Sequence, residues 1–303
     1  MPSNNNLHLA LKNKNDEFYT FYEDIERECS HYKEKYCDKV IYLPTDTENS
    51  NFFKYFSSHF DDFKIKQIIA THLDNSRTDG NYVIIQDKHG IVQDKIKGNG
   101  DFFSEECQQF LAGSDIVITN PPFSLARAFV MKILSCQKDF LLVINENIIS
   151  SKEIFPLFQK NLVKFGYNTI KKFYQADNTI KEFGNIIWLS SWRVERVEFI
   201  PDKDYNNNFQ KYDNYDAINI DNIKNIPKNY SGIMGVPLTY LKYHNPRYFD
   251  IIGLASGNAK KNQLYGETPY YQNNNDRGGA PLLDGKIKYT RIFIKRKEIS
   301  NDR

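Results

Sequence analysis

Six short runs of buried-type residues recur along the first two-thirds of this chain, and their length limits the fold it can adopt. They are Val40–Leu43, Ile68–Ala70, Tyr82–Ile85, Ile116–Ile118, Phe140–Ile144 and Ile186–Leu189. Each is rich in Ile, Val and Leu, bounded by polar residues and too short to be a core helix, so each reads as a strand buried on both faces. Helical patterns lie between several of them, over 51–60, 104–112, 124–136 and 151–164. Residues 16–36 add an amphipathic pattern through Phe18, Phe21, Tyr22, Ile25, Cys29 and Tyr32. Strand–helix alternation of this kind predicts an α/β fold: an open, Rossmann-like, largely parallel sheet with helices on both faces.

The texture changes after about residue 200. Residues 202–230 are rich in Asp, Asn, Lys and Tyr, and 255–285 in Gly, Asn and Pro, a loop-like composition. The chain is 303 residues long, enough for one good-sized core and a smaller lobe. We therefore expect a first domain over 1–200 and an irregular second lobe over 201–303.

Composition narrows the class. Apolar residues make up 40% and charged residues 26%, which excludes a disordered chain. No apolar run is long enough to cross a bilayer, and the polar start lacks the charged and apolar regions of a signal peptide. Four cysteines without a C-x-x-C pair or a histidine at ligand spacing read as reduced thiols of a cytoplasmic protein, with no metal site. The net charge of +2 gives no global argument for a nucleic-acid partner, so basic surface must be local. Its best candidate is the segment from Lys286 to Lys297, which holds six basic residues and no acid. Read as one strand, it divides Lys286 and Lys288 from Arg291 and Lys295 on the two faces. Arg193, Arg196, Lys260 and Lys261 are further candidates, and the Asn-rich stretch 272–276 suits the edges of adenine.

The segment Ser114–Phe123 carries the chemistry. An apolar strand runs directly into Asn120-Pro121-Pro122-Phe123, and a helical pattern follows. In open α/β sheets, ligands sit beyond the carboxyl ends of the strands, where this tetrapeptide falls. A strand followed by an ordinary Asn-Pro turn is the plain alternative. The residue types suit methylation of an exocyclic amine, whose lone pair is delocalised into its ring. The Asn120 side-chain carbonyl and the Pro121 main-chain carbonyl can each accept one N–H and draw the nitrogen toward tetrahedral geometry. The prolines stiffen the turn, and Phe123 offers a face for an unstacked base.

At this point the chain resembles the EcoRI-type family of adenine-specific DNA methyltransferases. Beside the tetrapeptide, the resemblance is carried by Asp16–Thr20, Asp38–Val40, Ser50–Phe56, Gly100–Phe102, Lys211–Asn219 and Gly232–Pro237. It implies transfer of a methyl group from S-adenosylmethionine to N6 of a flipped-out adenine in double-stranded DNA, with no obligate protein partner. It also implies that Asp101 and Phe102 meet the cofactor's adenine and that Tyr19 and Thr20 lie at its methionine end. Asp74, near the end of the second strand, is a candidate for the ribose. Pro44, Asp46 and Asn51 stand where most methyltransferases keep a glycine-rich turn, and this chain has no glycine between Lys39 and Asp79. Alternatives remain at this level: an N-methyltransferase acting on cytosine N4, on RNA or on a protein glutamine, and an inactive DNA-binding relative. Asn at the first motif position and Phe at the last favour adenine, and the match over 211–237 favours DNA.

Overall fold

The computed structural model describes residues 18–72, 81–175, 177–195, 199–257 and 279–297. Asp16, Glu17, Asp74, Arg196, Lys260, Lys261 and the Asn-rich stretch 272–276 lie outside them. The chain divides into two compact units: residues 1–148 with 163–194, and residues 149–162 with 195–303. The expected boundary near 200 thus stands beside an observed one at 194, and the segment 149–162 sorts with the second unit.

The first unit is built on a mixed sheet whose described strands run in the order β1-β8-β9-β7-β6-β2-β3-β4-β5. The parallel centre consists of β3 (Gln67–Thr71), β2 (Val40–Leu43), β6 (Ile116–Thr119) and β7 (Asp139–Asn145). Two hairpins flank it: β4 (Asn81–Asp87) with β5 (Gly90–Ile96), and β8 (Lys164–Tyr174) with β9 (Ile180–Ser190). The short β1 (Tyr19–Thr20) pairs antiparallel with the end of β8. The expectation of parallel strands is corrected for Tyr82–Ile85 and Ile186–Leu189, both antiparallel to their inner neighbours. Apolar runs report burial on both faces, and an antiparallel strand buried on both faces reads the same. Exposed strands were invisible for the converse reason: β5 is solvent-facing over six of its seven residues.

From β2 the chain builds β3, β4 and β5 to one side, then returns to place β6 on the other. The strand order reverses between β2 and β6, which opens a crevice at their carboxyl ends. Helix α1 (Tyr22–Cys29) and α2 (Asn51–Ser58) share one core cluster with the inward residues Ile41, Leu43, Ile118 and Val143. Ser50 caps α2, its hydroxyl accepting from the Phe53 N–H, and Phe52, Phe53, Tyr55 and Phe56 are buried by the helix. Each such side chain contributes about 1.5–3 kcal/mol through burial. Among the other helices, α3 (Glu105–Gly113) precedes β6 and α4 (Ala126–Ser135) follows it.

One polar anchor sits within this core. The buried Glu28 carboxylate accepts from the main-chain N–H groups of Tyr167 and Asn168, the Asn168 amide and the Tyr32 hydroxyl. The donors from Tyr167 and Asn168 lie where the β8–β9 register shifts between Phe165 and Thr169. Gly166 is required there, because a Cβ would fall on the Glu28 carboxylate and 2.5 Å from the Trp188 Cβ.

The second unit is more regular than its composition suggests. β10 (Ala217–Asn219), β11 (Ile233–Pro237), β15 (Arg291–Arg296) and β12 (Phe249–Ala255) form a sheet in that order. The Tyr212 ring lies against Gly235 and its hydroxyl donates to Asn219. The helical pattern over 151–164 reduces to α5 (Phe155–Gln159), a short helix with Pro156 in its first turn. Gln159 donates from it to the Ile251 carbonyl of β12.

Candidate active site

At the carboxyl ends of β2 and β6 lies a cleft of about 740 Å³, including the open space at its mouth. Its walls come from three stretches far apart in sequence: Phe18–Thr20, Thr45–Phe52 and Asn120–Phe123, with His72 at the end of β3.

β6 places Asn120 immediately beyond its last residue, the fully buried Thr119. The turn Asn120–Leu125 then closes on itself, Leu125 N–H donating to the Pro122 carbonyl, before α4 begins at Ala126. The Asn120 amide nitrogen donates to the Phe18 main-chain carbonyl. Its Oδ1 is buried without a hydrogen-bond partner, and the Pro121 carbonyl has none among the described residues. Two acceptors thus stand unused side by side on a rigid turn. Phe123 stacks on Phe18, centroids 5.5 Å apart, with Phe173 and Phe183 edge-on around it.

Opposite, the turn after β2 carries Thr45 and Asp46. Thr45 hydrogen-bonds to Thr119 and thereby ties the β2 and β6 ends together. The Asp46 N–H donates to the Thr71 carbonyl at the end of β3. Burial pushes the Asp46 carboxyl up to about 7, against the opposing pull of the Ser50 and Thr119 hydroxyls. Its Oδ2 has no partner, and neither has the buried Thr20 Oγ1. Asn51 holds β1 in place by donating to the Thr20 carbonyl at 2.8 Å. Buried polar atoms without partners are uncommon in folded proteins, and each costs on the order of 1–3 kcal/mol. Three of them facing one cleft point to a polar ligand.

The structure brings Tyr19, Thr20, Asp46, Asn51, Asn120, Pro121, Pro122 and Phe123 to this cleft and leaves other candidates elsewhere. Pro44 is buried behind the turn and does not line it. Asp101 follows β5, its carboxylate accepting from the Phe103 N–H. Phe102 is 3% exposed, stacks on Phe129 at 4.1 Å and is not among the residues that line the cleft. Phe18 enters the sequence reading only through its helical spacing and the segment Asp16–Thr20, and no motif marks His72, Lys181 or Phe183. Lys181 sets its ammonium 5.0 Å from the Phe18 ring centre, and only the β8–β9 hairpin brings it there.

The basic segment is also corrected. It is not one strand: β14 (Lys286–Ile287) pairs with β13 (Leu282–Leu283), and β15 starts afresh at Arg291. Arg291 is 7% exposed and bonded to Asp221 at 2.6 Å, an ion pair within the second unit. Lys288 lies 3.8 Å from the same carboxylate. Lys286 and Lys295 remain exposed. Arg193 is exposed and belongs to the first unit, beyond the end of β9.

A rigid turn with two free carbonyl acceptors, beside a polar cleft at a sheet's switch point, suits group transfer to an amine. Comparison with known proteins establishes the class: the chain is a methyltransferase, specific for adenine. The family model described as adenine-specific methyltransferase EcoRI matches residues 6–297, and the chain belongs to that family. The Type II methyltransferase M.EcoRI of Escherichia coli is 36% identical, the match covering 98% of each chain. M.MgeORF184P of Mycoplasma genitalium is 32% identical over 96% of this chain and 98% of its own. M.MpnI of Mycoplasma pneumoniae is 32% identical over 95% and 97%. No solved structure matches the chain. Among the described residues, no helix is long and apolar enough to cross a membrane.

Proposed function

We propose that this methyltransferase transfers the methyl group of S-adenosylmethionine to N6 of adenine in duplex DNA, on a class I methyltransferase sheet. The observation that carries this reading is the cluster of partnerless buried atoms, Thr20 Oγ1, Asp46 Oδ2 and Asn120 Oδ1, across one cleft. The residues fit the cofactor. Asp46 and Thr20 offer acceptors to a cationic ammonium end, and the Thr20 hydroxyl also offers a donor to a carboxylate. Asp101 is assigned to the adenine end, and Asp74 to the ribose. When bound, the cofactor supplies an electrophilic methyl group on a sulfonium.

The protein's part is to prepare the amine. Asn120 Oδ1 and the Pro121 carbonyl accept the two N–H bonds, which turns the nitrogen lone pair away from the ring and out toward the donor. Both acceptors are fixed before the substrate arrives, so little reorganisation opposes the reaction. Pro122 holds their spacing, and Phe123 stacks on the base. A base in a duplex cannot reach a cleft at a sheet edge, so the adenine must be flipped out. Lys286, Lys295 and Arg193 are assigned to phosphates and the second unit to target recognition, as in a modification enzyme of a restriction system.

The test is product analysis. Duplex DNA incubated with the protein and labelled S-adenosylmethionine is digested to nucleosides and resolved by mass spectrometry. N6-methyladenine is expected, at one short sequence, with Asn120→Ala slower by roughly 10²–10³. 4-Methylcytosine as the product, or full turnover by Asn120→Ala, refutes the assignment.

A further inference from the structure

The Asn120 amide has a donor end and an acceptor end of nearly the same shape, so the residue alone does not decide which end meets a substrate. Here the choice is made from outside the tetrapeptide. Nδ2 lies 2.5 Å from the Phe18 main-chain carbonyl, and Oδ1 is left buried and unpartnered. Turning the amide over would set two acceptors against each other and present N–H groups to the cleft. The Phe18 carbonyl is itself well held. The next two residues pair with Tyr174 and Phe173 of β8, and Asn51 grips the Thr20 carbonyl. The Phe18 ring is packed against Phe123 and Phe183.

We propose that the Phe18 main-chain carbonyl is a positioning group for methyl transfer, fixing Asn120 with its oxygen toward the amine. Position 120 must then carry a side chain that donates at one end and accepts at the other. This rests on the reading of Asn120 as the amine's acceptor. It has a consequence for Asn120→Asp, which preserves size and shape. The ionised carboxylate is an acceptor at both ends and meets the Phe18 carbonyl oxygen to oxygen. Once protonated, the same group donates to Phe18 and accepts from the amine. The other titratable or charged groups near this point are Asp46 across the cleft, His72 at its end and Lys181 over the Phe18 ring. All three are shared with the wild type, so the rate of the variant divided by that of the wild type isolates the introduced carboxyl.

The experiment measures single-turnover methyl transfer from pH 5.5 to 8.5 for wild type, Asn120→Asp and Asn120→Ala, with cofactor affinity followed at each pH. Asn120→Ala should be slower by roughly 10²–10³ at every pH. The Asn120→Asp ratio should fall with rising pH as one proton is lost, approaching tenfold per unit above the step. A flat or rising ratio, with Asn120→Ala still impaired, overturns the positioning role and leaves Asn120 as the acceptor. Normal turnover by Asn120→Ala overturns both. Should Asn120→Asp fail to bind cofactor, an ester in place of the Phe18–Tyr19 peptide bond weakens the same carbonyl. Transfer should then slow by roughly threefold to tenfold, the worth of one hydrogen bond, against an ester between Tyr19 and Thr20 as control. Equal rates for the two esters overturn the proposal.

Discussion

On the proposed contact between Asp46 and the cofactor's cationic end, the raised carboxyl gives cofactor affinity a pH dependence of definite sign. Burial holds the Asp46 carboxyl up to about 7, so the unliganded cleft binds a proton that an exposed aspartate would release near its ordinary value of 3.8. A shift of that size corresponds to about 4 kcal/mol, favouring the folded protein at acid pH and lost as pH rises through 7. A cofactor cation next to the carboxyl favours the ionised form. Binding must therefore expel the proton below pH 7 and need not above it. Affinity should rise about tenfold from pH 6 to pH 8, or about 1.4 kcal/mol, and level off beyond. Calorimetry in two buffers of different ionisation enthalpy should register release of about 0.9 proton at pH 6 and about 0.1 at pH 8. Asp46→Asn should bind more weakly by roughly 1.5–3 kcal/mol at pH 8 and show no slope. A slope that persists in Asp46→Asn would assign the titration to another group and refute the argument from Asp46.

Other perturbations separate the roles of the remaining residues. Gly166→Ala should lower the midpoint of thermal unfolding by displacing Glu28 or Trp188, at a cost of roughly 1–3 kcal/mol; an unchanged midpoint would mean that β8 yields freely there. Arg291→Ala should destabilise the second unit by roughly 1.5–3 kcal/mol through loss of its bond to Asp221, without altering the salt dependence of DNA binding. Reversing Lys286 and Lys295 together should do the opposite, leaving the unfolding midpoint in place and making the slope of log affinity against log salt shallower by about 0.9 per lost contact. An unaltered slope would remove these two lysines from the phosphate contacts.

The parallel centre of the sheet was legible because Val40–Leu43 and Ile116–Ile118 are buried on both faces and show it in every residue. The motif turn was legible because Asn-Pro-Pro-Phe follows such a strand. Strand direction was not, since Ile186–Leu189 is equally apolar in either sense. The stack of Phe102 on Phe129 was not legible, because a ring beside an acidic residue looks the same whatever it packs on. The ion pair of Arg291 was not legible because its partner, Asp221, is seventy positions away and becomes visible only through the pairing of β11 with β15. Phe18 contributes a main-chain carbonyl, a group that every residue has and no sequence pattern marks.

The placement of residues 149–162 bears on how the second unit can be exchanged between relatives. The second unit is not a tail that follows the first. It borrows a short piece from the middle of the chain, and α5 within that piece is bonded through Gln159 to the Ile251 carbonyl. A chimera joined only at residue 194 would graft most of a foreign second unit onto a host that still carries its own α5. A productive swap needs three junctions, near 148, 162 and 194, so that the borrowed piece travels with its partners. Recombination by a single crossover would separate them, which ties the inheritance of the second unit to that of the chain's centre.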